Sequence, residues 1–246
     1  MNIYFASDFH LGLNKPTLSK EREKVIVSWL DSIKDNATEL FILGDLFDYW
    51  YEYKKVVPKG HVRTLAKIAE LVESGIPVHL FTGNHDLWMF GYLEEELGVK
   101  IYKKPTQKEF AGKQFYLGHG DGLGPADHGY KFLKKIFSSK VNQWLFARIH
   151  PNTGIKLMQK SSHTSRESQS DFTPFKGPEK EWLVQYAERK IKDINIDFFI
   201  FGHRHLPIDF TLSNGKSRYI NTGDWINHNS YAKFDGKSLE LLTYNP

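Results

Sequence analysis

Apolar residues along this chain fall into two rhythms, short unbroken runs and longer stretches with helical spacing. The runs are NIYFAS (2–7), LFILG (40–44), VHLFTG (78–83) and FFIFG (198–202), with a weaker one, FYLG, at 115–118. Runs of that kind read as strands covered on both faces, the habit of parallel sheets. Helical spacing predicts a helix over roughly 18–34, with Val25, Ile26, Trp29, Leu30 and Ile33 on one face. A second is predicted near 61–74, closed by Gly75 and Pro77. Strands are expected at 2–6, 39–43 and 77–81, a short helix at 88–97, and strands near 99–102, 108–111 and 114–117. Helix 179–193 and strand 197–201 resume the pattern. The tail reads as short antiparallel strands near 208–212, 217–221, 230–235 and 238–244. This alternation predicts a layered α/β architecture. From about 125 to 165 a basic, aromatic, mostly helical segment interrupts it, and 161–178, rich in Ser and Thr with two prolines, reads as a loop. Residues 1–246 are expected to form one domain with a helical insertion at about 123–178.

A chain of 246 residues can bury a sizeable core, and 40% hydrophobic and 25% charged residues are ordinary for a globular protein. The absence of cysteine excludes disulfides, thiolate zinc sites and cysteine nucleophiles. A net charge of +4 suits an anionic substrate or membrane surface. No stretch approaches the roughly 18 apolar residues of a membrane span, and Met1 runs almost directly into the first strand, where no signal peptide fits. The expected location is therefore cytoplasmic.

Five segments end apolar runs with metal-loving residues: D-F-H (Asp8, His10), G-D-L-F-D (Asp45, Asp48), G-N-H-D (Asn84, His85, Asp86), G-H-G-D (His119, Asp121) and G-H-R-H (His203, His205). Open α/β sheets gather their sites at strand carboxyl ends. Any one of these residues alone is more simply a surface histidine or a turn aspartate. Five segments sharing one form make a metal pair the economical reading. Asp8 and His10 alternate across Phe9, and His203 and His205 across Arg204, which would place each pair on one side of an extended backbone. Asp8, His10 and His205 are assigned to one ion, Asn84, His119 and His203 to a second, and Asp45 to the bridge. Oxygen and nitrogen ligands without sulfur fit Mn²⁺ best, with Mg²⁺, Fe or Zn²⁺ as alternatives.

These motifs together resemble the calcineurin-like metallophosphoesterases, over the whole chain. The resemblance implies a two-sheet α/β sandwich flanked by helices and in-line attack on phosphorus by metal-bound hydroxide. It makes His85 the proton donor to the leaving group, oriented by Asp48, while Asp86 and Asp121 support loops and metal-bound histidines. Within that family the chain is most similar to the UDP-2,3-diacylglucosamine hydrolases of lipid A biosynthesis. The features that carry this are G-D-L-F at 44–47, G-H-G-D followed by Asp127, the helical insertion, and T-G-D-W at 222–225. The resemblance implies cleavage at the α-phosphorus to UMP and 2,3-diacylglucosamine 1-phosphate, under a lid that covers the acyl chains. The chain departs at His85, where many of those hydrolases carry Arg. Asn84, His85 and Asp127 are then candidate substrate contacts, and Arg166, Lys176 and Lys180 candidate phosphate contacts. Another metallophosphodiesterase or phosphatase, acting on nucleotides or phosphoproteins, and a non-catalytic scaffold of this fold stay open.

The insertion's own composition points the same way. Residues 122–178 hold nine basic side chains against three acidic ones, interleaved with aromatics that include Trp144 and Phe146. Such a segment can line an acyl groove, rest peripherally on the cytoplasmic face of a membrane, or simply pack on the core. No groove-reading motif for nucleic acid accompanies it.

Overall fold

A computed structural model describes residues 1–13, 16–124, 128–168 and 174–246. Two mixed sheets pack face to face. The first runs β11-β10-β1-β2-β3-β4 and the second β5-β6-β7-β9-β8. In the first, β1 (Ile3–Ala6), β2 (Glu39–Ile42), β3 (Val78–Phe81) and β4 (Lys100–Tyr102) are parallel, and β10 (Ser230–Phe234) and β11 (Leu239–Thr243) close one edge antiparallel. In the second, β6 (Lys113–Leu117), β7 (Phe198–Phe201) and β9 (Arg218–Thr222) are parallel, between antiparallel β5 (Thr106–Phe110) and β8 (Pro207–Thr211).

The period-2 alternation of strand side chains explains the layers. Ile3, Phe5, Phe41 and Leu43 face Phe115, Leu117, Ile200 and Ile220 across the sandwich. Tyr4, Ala6, Leu40 and Ile42 point the other way, onto α1 (Pro16–Ile33) and α2 (Val62–Glu73) through Ile26, Trp29, Leu30 and Ile68. Phe199, Phe201 and Tyr219 meet α7 (Trp182–Lys190) on the far face. Strands β1, β2, β3 and β7 are covered on both sides along almost their whole length, hence their near-unbroken apolar sequences.

Helices α4 (His128–Ser138), α5 (Lys140–Phe146) and α6 (Pro151–Ser168) lie between β6 and α7 in sequence. Buried Phe146 packs against Tyr49, Tyr51 and Trp88. The Tyr51 hydroxyl donates to Gln143 O at 2.7 Å and Trp88 Nε1 to Phe137 O at 2.8 Å, pinning this helical layer to the sandwich.

Two expectations need correction. The helix expected over 88–97 begins only at Tyr92, as α3 (Tyr92–Leu97). Trp88 instead bridges Tyr51, the Phe90 and Tyr92 amides donate to the Glu52 carboxylate, and Gly91 has φ 135. The loop expected over 161–178 is helical through Ser168, because Ser and Thr weaken a helix without ending it and both prolines lie beyond. The tail strands pair antiparallel as expected, β8 with β9 in the second sheet and β10 with β11 in the first.

Phe115 is fully buried between the sheets, with ring contacts to Phe5, Phe110, Phe198 and Phe234. Phe115→Ala is expected to cost about 3–5 kcal/mol, read as a lower urea midpoint with an unchanged slope.

Candidate metal centre and active site

Each of six parallel strands ends in a residue of one cluster. Asp8 and His10 follow β1, Asp45 follows β2, Asn84 and His85 follow β3, His119 follows β6, and His203 and His205 follow β7. The sixth, Asp224 after β9, stands in the T-G-D-W element but was not expected in the cluster, although Gly223-Asp224 repeats the Gly-Asp form of Gly44-Asp45.

The side chains meet in two groups that share Asp45. In the first, Asp8 Oδ1 stands 3.2 Å from His205 Nε2 and 3.6 Å from His10 Nε2. The two imidazole Nε2 atoms are 3.2 Å apart, and Asp45 Oδ2 is 3.7 Å from His10 Nε2. In the second, Asn84 Oδ1 stands 3.0 Å from His119 Nε2 and 2.9 Å from His203 Nδ1. His119 Nε2 is 3.3 Å from Asp45 Oδ2, so one carboxylate oxygen faces both groups.

The outward nitrogens decide which way the histidines point their lone pairs. His119 Nδ1 donates to Leu43 O at 2.8 Å, since a carbonyl can only accept. Nδ1 of His10 faces Asp48 Oδ1 at 3.4 Å, and Nδ1 of His205 faces Asp224 Oδ2 at the same distance. Their Nε2 atoms therefore turn acceptor-first into the cluster. Buried Asp8 Oδ1 faces the two imidazoles, with His205 Nε2 at 3.2 Å and His10 Nε2 at 3.6 Å. Acceptors so placed repel one another unless a cation, either a proton or a metal ion, sits among them. The residues thus fit divalent metals, with donors confined to oxygen and nitrogen.

The titration of the metal-free cluster follows. Against the penalty of burial, the charge of Asp45 and its hydrogen bond raise His119 to about 10. Burial also opposes His205, but Asp8 and Asp224 raise it to about 10. Burial depresses His85 to about 4, with Asp45 pulling against it. Burial and the His119 charge likewise hold His203 at about 4. Burial and then the Asp45 charge raise Asp86 to about 7. Its Oδ1 accepts the Gly83 amide at 2.7 Å, so Asp86 braces the loop from outside the cluster.

Backbone geometry differs from expectation. Asp8, His10, Asp45, His203 and His205 have φ between 44° and 69°, in the left-handed region, and are not alternating residues of extended strands. They make up five of the eight non-glycine residues with positive φ among those described, which concentrates backbone strain at the cluster. Gly83 and Gly202 are required by space. A Cβ at Gly83 would fall on Asp45 Oδ1, and one at Gly202 on Ser7 Oγ and Asp8 Oδ2.

His85 Nδ1 donates to the backbone oxygen of Asp48 at 3.2 Å, while the Asp48 carboxylate is 3.8 Å away and closer to His10. Orientation of His85 comes first from the main chain. Asp121 is buried and pairs with Lys134 of α4 at 2.5 Å. Lys176 and Lys180 are exposed ahead of α7, near buried Glu181, which accepts from Arg204 Nε at 3.1 Å. Asp127 lies outside the described residues, and Arg166 lies on α6, where the backbone alone is described.

With this arrangement in view, comparison decides the family. The calcineurin-like phosphoesterase family pattern matches residues 1–207. This chain belongs to that family. It is 37% identical to a UDP-2,3-diacylglucosamine hydrolase of Porphyromonas gingivalis, covering 97% of this chain and 96% of the relative. It is 27% identical to one of Aeromonas hydrophila, covering 94% and 93%. Among solved structures, the phosphoesterase Yfce from E. coli superposes with a TM-score of 0.51 at 17% identity, covering 99% of this chain and 93% of that one. A novel archaeal phosphodiesterase gives 0.50 at 13%, covering 99% and 100%. At those identities the structures establish the fold alone, a two-sheet sandwich shared with phosphoesterases.

The pH dependence of the metal-free phosphoesterase follows from its histidines. His119 and His205, raised from 6.5 to about 10, contribute stability fully present below about pH 6.5 and lost as pH climbs through 10. His85 and His203, lowered to about 4, contribute stability lost as pH falls from 6.5 through 4. Thermal melts of chelator-treated protein should therefore show a fall in Tm above neutrality as well as in acid. A flat profile from pH 7 to 10 would contradict the arrangement.

Proposed function

We propose that this phosphoesterase hydrolyses UDP-2,3-diacylglucosamine at its α-phosphorus, giving UMP and 2,3-diacylglucosamine 1-phosphate. One observation carries the reading: the acceptor atoms of two groups converge about Asp45, in a chain 37% identical to a hydrolase named for that substrate. Asp8, His10 and His205 would hold one ion, Asn84, His119 and His203 a second, with Asp45 between them. Mn²⁺ suits this donor set, as do Mg²⁺, Fe and Zn²⁺. When bound, such ions supply Lewis acidity, polarising phosphoryl oxygens and lowering the pKa of water.

The chain's own residues do the remainder. Asp48 and Asp224 hold His10 and His205 in the tautomer that presents Nε2 inward. His85 is the proton donor to the leaving oxygen. An anionic diphosphate beside it offsets the burial that holds it near 4 and restores its proton. A cleft of about 1070 Å³ opens beside Asp48 and Gly12, with Val56, Val57, Pro58 and Ile155 among its walls, and suits acyl chains. Asp127 is assigned to the sugar, and Arg166, Lys176 and Lys180 to the phosphate that leaves with it.

Residues 123–178 form the lid within a single domain. Phe132, Leu133, Val141, Trp144 and Leu145 are exposed on it among Lys131, Lys135, Lys140 and Arg148, which suits peripheral contact with the cytoplasmic face of a membrane. Trp144 belongs to that outer surface, with Arg148 over its ring at 4.4 Å, whereas Phe146 is packing. No helix among the described residues is long and apolar enough to cross a membrane.

Two outcomes are expected. Because His119 and His205 are protonated at pH 7.5, loading Mn²⁺ onto the metal-free protein should release about two protons, measured by calorimetry in buffers of different ionisation enthalpy. Release of none would remove these histidines from the ligand set. Second, Mn²⁺-loaded enzyme should form UMP from UDP-2,3-diacylglucosamine, and His85→Gln should lower kcat by about 10²–10⁴. The loss should be larger on phenyl phosphodiesters, whose poorer leaving group needs a proton more, than on p-nitrophenyl ones. Equal losses would end the donor role, and cleavage of cyclic nucleotides alone would end the lipid assignment.

A further inference from the structure

The cluster has a second flank. Leu123 and Gly124, just after the Asp121 loop, border a cavity of about 420 Å³ completed by Lys131 of α4 and by Tyr186, Arg189, Lys190 and Asp193 on and after α7. We propose that this cavity receives the uridine arm of the substrate, the two arms leaving the metal centre towards different cavities. The inference rests on the diphosphate reading above.

Position supports it first. The N-terminal end of α7 abuts the cluster: a Cβ at Gly120 would lie 3.0 Å from Leu183 Cδ1 and 3.5 Å from His203 Cβ. From Leu183 to Tyr186, Arg189 and Lys190 the helix advances about 4–11 Å at 1.5 Å per residue. That is the reach of a nucleoside from its own phosphate. The larger cleft starts from the opposite group, at Leu11, Gly12 and Asp48 beside His10. A substrate whose phosphate bridges both groups therefore has one cavity at each end.

The lining chemistry supports it next. Leu123, the Tyr186 ring and the stem of Lys190, whose Nζ lies 5.7 Å over that ring, give an apolar floor. The Tyr186 hydroxyl is fixed by Tyr116 at 2.8 Å, so the ring, with Lys190 over it, forms a fixed wall against which a base can lie. Lys131, Arg189 and Lys190 can only donate hydrogen bonds, which matches the two carbonyl oxygens of uracil. Asp193 can only accept, which matches the ring N–H or the ribose hydroxyls. Cytosine presents an amino donor where uracil presents its second carbonyl, so a rim of cations favours uracil. Lys131 Nζ already donates to Gly124 O at 2.7 Å, which steadies the rim. The cavity is too small and too cationic for acyl chains, which the cleft at the other end suits.

The test measures UMP and CMP binding to the Mn²⁺-loaded enzyme by calorimetry, in wild type and in Arg189→Glu and Lys190→Glu. Both positions lie on α7, away from the cluster. UMP should bind more tightly than CMP, and each variant should weaken UMP about tenfold and raise KM for UDP-2,3-diacylglucosamine to match, as loss of a charge-assisted hydrogen bond predicts. Turnover of bis(p-nitrophenyl) phosphate, which lacks a nucleoside, should stay unchanged. UMP affinity equal to that of CMP and untouched by both substitutions would overturn the proposal, as would a UMP complex with uracil in the cleft beside Asp48. If wild type fails to cleave the lipid substrate while UMP binding still depends on Arg189 and Lys190, the nucleoside subsite stands and the lipid assignment falls.

Discussion

The organising interaction is the mutual repulsion of buried acceptors around Asp45. Its carboxylate faces His10 on one side and His119 on the other, and Asp8, Asn84, His203 and His205 crowd in behind. Folding would not place carboxylate, amide and imidazole lone pairs so close with nothing between them. A cation must be present, and in the absence of metal the protons held on His119 and His205 serve. The cluster is in this sense a cation site before any metal arrives, and metal loading is an exchange for protons.

The fold supplies that crowding through strand direction. Six parallel strands in two sheets point their carboxyl ends at one place, and the apolar layers behind them are rigid because β1, β2, β3 and β7 are covered on both faces. Loops then turn sharply enough that five ligand-type residues adopt left-handed backbone. Such strain persists only where surrounding contacts over-determine it. Here the Gly44, Asp45 and Leu46 carbonyls accept the amides of Asp8, His10 and Leu11, tying neighbouring loops together beyond the ends of the strands.

Much of this was legible in the amino-acid order. The unbroken runs located β1, β2, β3 and β7, because burial on both faces erases the polar alternation of a half-exposed strand. The Gly-before-ligand form located the cluster. The part of Asp224 in the cluster is not legible within T-G-D-W because its partners, His205 and His228, lie on another loop or four residues on, and neither spacing is a motif. The backbone of Asp8–His10 was misjudged because alternation in sequence says nothing of φ when a loop leaves a strand. The loop expected over 161–178 failed for a related reason: Ser and Thr composition suggests irregular structure, whereas α6 persists through that stretch as far as Ser168.

Tyr51 and Trp88, which hold α4 and α5 by hydrogen bonds, stand three residues after Asp48 and three after His85. Lys134 grips Asp121, two residues after His119. All three tethers are thus fastened to the very loops that shape the cluster. A displacement of these helices would therefore be transmitted to the loops that shape the cluster through Tyr51, Trp88 and Asp121.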